Sequence, residues 1–166
     1  MNKSPVTAII VGAGHRAMVY SKLALTNPEL LKIVGVADPN PVRRKHCMEK
    51  FGFSEDMCFE NAQELAKKGK LADTIINGTM DEQHIETSIP LLNAGYDMLL
   101  EKPFAVNEEV SSLKPTAFAP VTVQSAEYIG DSHQMSFFVA DQHFSQALCK
   151  QRRAFLEADG FGGACQ

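Results

Sequence analysis

Short β-branched runs alternate with longer amphipathic stretches over the first hundred residues, and this alternation is the strongest constraint on the fold. The first run, Val6 to Val11, is continuously apolar and ends at Gly12, as in a strand that is buried on both faces of a parallel sheet. Amphipathic stretches between such strands are typical of helical crossovers, which are right-handed in nearly all proteins. The sequence therefore predicts the α/β class with an open, doubly wound parallel sheet of the Rossmann type.

Residues that start or stop helices set the expected limits of the elements. The predicted strands cover residues 6–11, 31–38, 72–78 and 96–100, and the predicted helices cover residues 17–25, 41–50, 62–68 and 81–93. Pro41 suits the first turn of its helix, and Asn61 is a suitable N-cap for the next one. Pro90 lies late in the last helix, where its missing N–H and its ring predict a kink or an early stop.

A glycine-rich motif joins the first strand to the first helix. It fits the dinucleotide-binding pattern GxGxxG/A in the strand–turn–helix context that the pattern requires, and it consists of Gly12, Ala13, Gly14, His15, Arg16 and Ala17. Gly12 permits the tight turn, Gly14 leaves room for a pyrophosphate, and Ala17 lets the helix approach the strand. Amides at the helix start then bind the phosphates. Glycines also occupy such turns for purely structural reasons, so that alternative stays open.

Asp38 ends the second predicted strand about 20 residues after the motif, where an acidic side chain binds the adenosine ribose. A carboxylate at this position repels a 2′-phosphate, so NAD is predicted in preference to NADP. Arg43 and Arg44 follow closely and offer charges that accommodate a 2′-phosphate, which keeps NADP as the less favoured alternative. Asp38 before Pro39 is also a common turn sequence, and this structural interpretation stays open too.

Three segments together resemble the cofactor half of the glucose-fructose oxidoreductase, inositol dehydrogenase and rhizopine-catabolism family (Gfo/Idh/MocA). These segments are VGAGHRA, GVADPNP and NGTMDEQHIETSIPLLNAGYDMLLEKPFA, and the resemblance covers roughly residues 5–106. The long block that contains EKP distinguishes this family better than the glycine motif does. The resemblance implies an NAD(P)-dependent oxidoreductase that transfers a hydride between the nicotinamide and a sugar or polyol hydroxyl.

The resemblance also implies roles for residues near the nicotinamide. Lys102, in the sequence Glu101-Lys102-Pro103, matches the family lysine that lies near the nicotinamide and the substrate hydroxyl. Burial lowers the pKa of a lysine amine enough for proton exchange, so Lys102 is the predicted catalytic residue, with Glu101 and Pro103 beside the cofactor. Thr79 and His84 match family positions that line the nicotinamide ribose.

The sequence departs from the family in two ways. Met80 stands where the family usually has a proline. Only about 60 residues follow EKPFA, whereas family members usually carry a second α/β domain that supplies the substrate pocket. The expected division is a dinucleotide-binding domain at residues 1–118 and a short, atypical extension at residues 119–166, made of a strand and a helix.

Two other functions stay open beside the oxidoreductase. A chain without the substrate domain is also consistent with a non-catalytic NAD-binding module or a remnant. A less favoured alternative is NAD-dependent glycoside cleavage by transient oxidation, which the family resemblance also allows. The predicted strand near residues 120–129 would offer an unpaired edge, so a homo-oligomer, such as a dimer, is expected.

Composition excludes several other classes of protein. The 166 residues include 16 basic and 20 acidic side chains, and the resulting net charge of −4 argues against a surface for nucleic acid or anionic membranes. No apolar run approaches the roughly 20 residues of a membrane span. The four cysteines lack the spacing of zinc ligands. They are interpreted as free thiols, which predicts a cytoplasmic protein without a metal site.

Overall fold

Five strands form a parallel sheet in a computed structural model that describes residues 4–101 and the backbone of residues 138 and 139. The strands are β1 (Val6–Val11), β2 (Leu31–Ala37), β3 (Cys58–Phe59), β4 (Thr74–Asn77) and β5 (Asp97–Leu100). Their order is β3-β2-β1-β4-β5, and β6 (Phe138–Val139) pairs antiparallel with β5. The predicted α/β class and doubly wound parallel sheet are confirmed.

Helices cover both faces of this sheet. Within the described residues they are α1 (His15–Tyr20), α2 (Leu23–Thr26), α3 (Pro41–Phe51), α4 (Ala62–Lys67) and α5 (His84–Asn93), with 3₁₀ turns at Glu55–Met57 and Asp81–Gln83. Alternate residues of β1 point to opposite layers, as the two-residue period of a strand requires. Ala8 and Ile10 pack with buried residues of α1, α2 and α3, whereas Ile9 and Val11 pack with those of α4 and α5. The sheet is therefore the shared wall of two apolar cores.

The helix predicted at residues 17–25 is instead two short helices, α1 and α2, so the single-helix prediction was wrong. The Ser21 hydroxyl donates a hydrogen bond back to the Ala17 carbonyl at 2.7 Å. The Lys22 N–H donates to the Val19 carbonyl, three residues earlier, at 3.2 Å. Back-bonding serines bend helices, and a bond over three residues tightens the turn. Together they divide the segment.

Helix α5 continues through Pro90 to Asn93, so the predicted early stop does not occur. Pro90 has no N–H to donate to the carbonyl of Glu86, one turn earlier. The side-chain amide of Gln63, in α4, donates to that carbonyl at 3.4 Å. The neighbouring helix thus supplies a donor for the carbonyl that the proline leaves without one.

Two of the four cysteines lie in the described region, and both are free thiols, Cys47 in α3 and Cys58 in β3. Burial raises the pKa of Cys47 to about 11, so this thiol stays protonated at neutral pH. The strand predicted at residues 120–129 and the domain boundary after residue 118 lie outside the described residues. No helix in the described part of the chain is long and apolar enough to cross a membrane.

Candidate functional site

The glycine motif lies where β1 ends and α1 begins. Gly12 has a φ of +74°, a left-handed conformation that side-chain-bearing residues rarely adopt. Its N–H donates to the Ala37 carbonyl of β2 at 2.9 Å. A Cβ atom at Gly12 would lie 2.8 Å from the Cα and from the N of Thr79, which follows β4. Both its conformation and the close approach of the β4–α5 loop therefore require glycine at this position.

Gly14 borders the space that a ligand would need. Among the described residues, a Cβ at Gly14 would have only the carbonyl oxygen of Gly78 within 4 Å, at 3.8 Å. The next two residues, His15 and Arg16, are exposed. Because they begin α1, their amides have no helical carbonyl one turn earlier to bond. The open space beside Gly14, next to these amides, is where the motif predicts a pyrophosphate.

Ala17 and Gly78 allow α1 to lie close to the loop that follows β4. Ala17 is fully buried. A Cβ atom on Gly78 would lie 2.8 Å from the Ala17 Cβ and 3.0 Å from its backbone nitrogen. Small residues are thus required on both sides of this contact, and the sequence motif contained only one of them.

Asp38 lies just beyond β2, beside the glycine motif, and is only 2% exposed. Its Oδ2 accepts a hydrogen bond from the Ala13 N–H at 2.8 Å, and its Oδ1 accepts one from the Asn40 N–H at 2.8 Å. The carboxylate therefore stabilises both the glycine loop and the turn into α3.

The two arginines of α3 have different surroundings. Arg44 Nη1 donates to the carbonyls of Asp38 and Pro39 at 2.7 and 3.1 Å, so its head group stabilises the β2–α3 loop. The Arg43 side chain is 56% exposed, with Nη1 3.7 Å from Asp38 Oδ2. Of the two, Arg43 is better placed to contact a phosphate group beside Asp38.

Asn77, the last residue of β4, organises the loop that closes over Gly12. Its side chain is buried, and Oδ1 accepts hydrogen bonds from the Thr79 N–H at 3.2 Å and the Thr79 hydroxyl at 2.8 Å. Its Nδ2 donates to Thr87 Oγ1 at 2.9 Å and to Ser88 Oγ at 3.0 Å. These four bonds use the full capacity of the amide. Asn77 thereby holds Thr79 against the glycine motif.

His84, the first residue of α5, contacts the same loop. It is fully buried at the start of α5, with Nε2 3.2 Å from the Thr79 carbonyl oxygen. The contact indicates that His84 shapes the loop that carries the half-buried Thr79.

Glu101 follows β5, and Asp38 follows β2, so the two residues lie on opposite sides of the central strand β1. The Glu101 N–H donates to the Asn77 carbonyl at 3.2 Å, which extends the β4–β5 ladder by one residue. Its carboxylate accepts a hydrogen bond from the hydroxyl of Tyr20, the last residue of α1. Lys102 and Pro103 lie outside the described residues.

The loops after β2, β1, β4 and β5 meet along the carboxyl edge of the sheet, where open α/β folds bind their ligands. The structure brings Asp38 and Arg43 together on one side of the glycine motif, and Thr79 and Glu101 on the other. Sequence reasoning missed three contributors: Asn77, Gly78 and Tyr20. Asn77 and Gly78 directly follow Ile75 and Ile76, which was a usable signal for the first two, whereas nothing local marked Tyr20.

Residues 6–118 match the model of the Gfo/Idh/MocA oxidoreductase family, described by its NAD-binding Rossmann fold. The chain belongs to this family. No curated protein sequence matches the chain significantly.

Solved structures with the same fold include several oxidoreductases. A scyllo-inositol dehydrogenase from Lactobacillus casei, with bound NAD(H) and scyllo-inositol, superimposes with a TM-score of 0.58 at 20% identity over 64% of this chain and 31% of that one. The WlbA dehydrogenase from Bordetella pertussis, with NADH and UDP-GlcNAcA, gives 0.56 at 19% identity over 66% and 31%. Biliverdin reductase from Synechocystis, with biliverdin and NADP+, gives 0.55 at 20% identity over 64% and 32%. This Gfo/Idh/MocA chain spans about a third of the length of these proteins.

Proposed function

We propose that this Gfo/Idh/MocA chain binds NAD along the carboxyl edge of its sheet and acts in hydride transfer to or from a hydroxyl of a sugar or polyol. The observation that carries the proposal is the glycine motif, which has open space beside Gly14 and lies between Asp38 and Thr79. These are the three parts that a dinucleotide needs: a phosphate site flanked by two nucleoside sites.

The residues along this edge have different proposed roles in binding the cofactor. The amides of His15 and Arg16 bind the pyrophosphate, and Asp38 and Arg43 lie on the adenosine side. Thr79 and Glu101 lie on the nicotinamide side. When bound, NAD supplies the hydride acceptor. Lys102, the residue after Glu101, accepts the proton that the substrate hydroxyl loses during oxidation.

Two structural neighbours support the choice of substrate class. One was solved with scyllo-inositol, a polyol, and the other with UDP-GlcNAcA, a nucleotide sugar. Both molecules offer secondary hydroxyls that a nicotinamide cofactor can oxidise. Homodimer formation and a cytoplasmic location stay predictions from the sequence.

The cofactor preference is tested by thermal unfolding of the chain with NAD and with NADP. A ligand at about 100 times its dissociation constant stabilises a protein by roughly 2.7 kcal/mol, which should raise the unfolding midpoint by several degrees at this size. We expect a larger rise with NAD than with NADP. In Asp38→Ala the NAD response should weaken relative to NADP, because the carboxylate that repels a 2′-phosphate is gone.

Asp73→Ala is the matched control for this experiment. Asp73 lies just before β4, at the opposite edge of the sheet, and its Oδ2 accepts bonds from the Thr7 N–H at 2.8 Å and the Thr7 hydroxyl at 2.6 Å. Its loss should lower the midpoint without altering either nucleotide response. No response of the wild-type chain to either nucleotide would overturn the proposed NAD site. An unchanged preference in Asp38→Ala would overturn the role of that carboxylate.

The role of Lys102 is tested by NAD reduction with a panel of sugars and polyols. General acid–base groups contribute at least about a hundredfold to turnover, so Lys102→Ala should lose that factor while keeping its affinity for NAD. Lys70→Ala is the control, because Lys70 pairs with Asp97 (Nζ to Oδ2, 3.8 Å) at the other end of β5. NAD binding without turnover of any substrate would favour the non-catalytic module over the oxidoreductase.

A further inference from the structure

The hydrogen bond between Tyr20 and Glu101 joins residues that are 81 positions apart in the chain. Tyr20 is the last residue of α1, the helix that begins with the glycine motif. Glu101 is the first residue after β5, and its own N–H bonds to the Asn77 carbonyl at 3.2 Å. The main chain and the side chain of Glu101 are therefore both held, the first by β4 and the second by α1.

The direction of this hydrogen bond follows from the chemistry of the two groups. Burial raises the pKa of Tyr20 well above its ordinary value, and the bond and charge of Glu101 raise it further, while the nearby charge of Arg16 lowers it. The phenol thus keeps its proton at physiological pH and donates it. Hydrogen bonds to an ionised acceptor are among the stronger ones in proteins.

Glu101 lies in the half of the candidate site that would hold the nicotinamide. The glycine motif follows β1, at the centre of the sheet, and Asp38 follows β2 on one side of it. Glu101 follows β5 on the other side, beyond β4 and Thr79. A dinucleotide with its adenosine toward Asp38 places its nicotinamide toward Glu101.

We propose that Tyr20 is a positioning residue for the nicotinamide half of the site, because its hydroxyl orients Glu101 and so fixes the chain one residue before Lys102. This inference rests on the proposed function. It predicts a role for α1 beyond the phosphates, since the last residue of the helix would set the geometry at the opposite end of the cofactor.

The test compares the binding of NADH with that of ADP-ribose, which lacks the nicotinamide. Loss of one such hydrogen bond in Tyr20→Phe should weaken NADH binding by about tenfold. Binding of ADP-ribose should stay within about twofold of the wild-type value, because its contacts are to the glycine motif and the Asp38 side. Calorimetry measures both affinities on the same preparation.

Tyr96→Phe is the matched control for a lost tyrosine hydroxyl. The Tyr96 hydroxyl donates to the Gly69 carbonyl at 2.8 Å and accepts from the Leu71 N–H at 2.9 Å, away from the candidate site. This variant should be less stable but should bind both ligands as the wild type does. Equal weakening of NADH and ADP-ribose in Tyr20→Phe, or no weakening of NADH, would overturn the positioning role.

Glu101→Ala removes the same bond from its other end and keeps the test usable if Tyr20→Phe folds poorly. It should weaken the binding of NADH but not that of ADP-ribose. The double variant should bind NADH no more weakly than the single variant with the lower affinity, because both changes break the same interaction. Additive losses would overturn the inference. If the wild-type chain binds neither NADH nor ADP-ribose, the proposed function itself is wrong, a result distinct from wild-type binding with an unaltered ratio in the variants.

Discussion

Replacing Gly12 with alanine is expected to lower the free energy of unfolding by about 2–5 kcal/mol. A φ of +74° costs a residue with a Cβ atom about 1–2 kcal/mol, and overpacking a tight contact costs typically about 1–3 kcal/mol more. The new Cβ would lie 2.7 Å from Thr79 Cγ2 and 2.8 Å from its Cα and N. At this chain length, the unfolding midpoint should fall on the order of 10 °C.

Gly52→Ala separates the two causes of this loss. Gly52 has a φ of +72°, nearly that of Gly12, but a Cβ there would meet nothing within 4 Å among the described residues. It should therefore cost only the conformational part, about 1–2 kcal/mol. Adding Thr79→Ala to Gly12→Ala should not restore stability, because two of the three closest atoms belong to the main chain. If chemical denaturation shows equal losses of unfolding free energy in Gly12→Ala and Gly52→Ala, the β4–α5 loop moves away from the new Cβ atom without a measurable cost.

This contact changes how the glycine motif is interpreted. The structural and the ligand-binding explanations of the motif were alternatives in the sequence, but different glycines carry them in the structure. Gly12 is required by its conformation and by Thr79, whereas Gly14 has open space beside it. Destabilisation of the free protein is thus expected at Gly12, and loss of a phosphate site is expected at Gly14.

The order of the large elements was predictable because each one is specified locally. Short apolar runs mark β1, β2, β4 and β5, and the N-cap Asn61 and Pro41 in the first helical turn mark helix starts. Strand β3 was missed because two residues, Cys58 and Phe59, are too short for any periodic pattern. The break between α1 and α2 was missed because it depends on the hydrogen bonds of Ser21 and Lys22, which no periodic pattern reveals.

The candidate site was predictable only in its local part. The glycine motif and Asp38 follow directly from spacing along the chain, and the structure places both at one edge of the sheet. The burial of the Asp38 carboxylate against the Ala13 amide was not predictable, because it depends on how the β2 and β1 loops pack. The same holds for Tyr20 and Glu101, which only the completed fold brings together.

Asn77→Leu is expected to lower the free energy of unfolding by about 2–6 kcal/mol. Leucine keeps the branched arrangement of side-chain heavy atoms but removes the acceptor of two Thr79 bonds, at 3.2 and 2.8 Å. Each buried polar group left without a partner costs about 1–3 kcal/mol. The Thr87 hydroxyl keeps its bond to the Gln83 carbonyl at 2.7 Å, whereas the buried Ser88 hydroxyl loses its bond from Asn77 Nδ2 at 3.0 Å, so the loss should fall on the Thr79 loop and on Ser88.

Asn61→Ala provides the scale for this loss. Asn61 is exposed, and its Oδ1 accepts from the Glu64 N–H at 2.8 Å as the N-cap of α4, so its removal should cost about 1 kcal/mol. Hydrogen exchange should locate the difference, with the Thr79 amide losing protection in Asn77→Leu but not in Asn61→Ala. Similar losses of unfolding free energy in the two variants would show that Asn77 stabilises the fold no more than an exposed helix cap does. A larger loss, with the Thr79 amide less protected, would show that the buried amide of Asn77 holds the loop against Gly12. Asn77 would then set the shape of the part of the site where the nicotinamide half of the cofactor is proposed to lie.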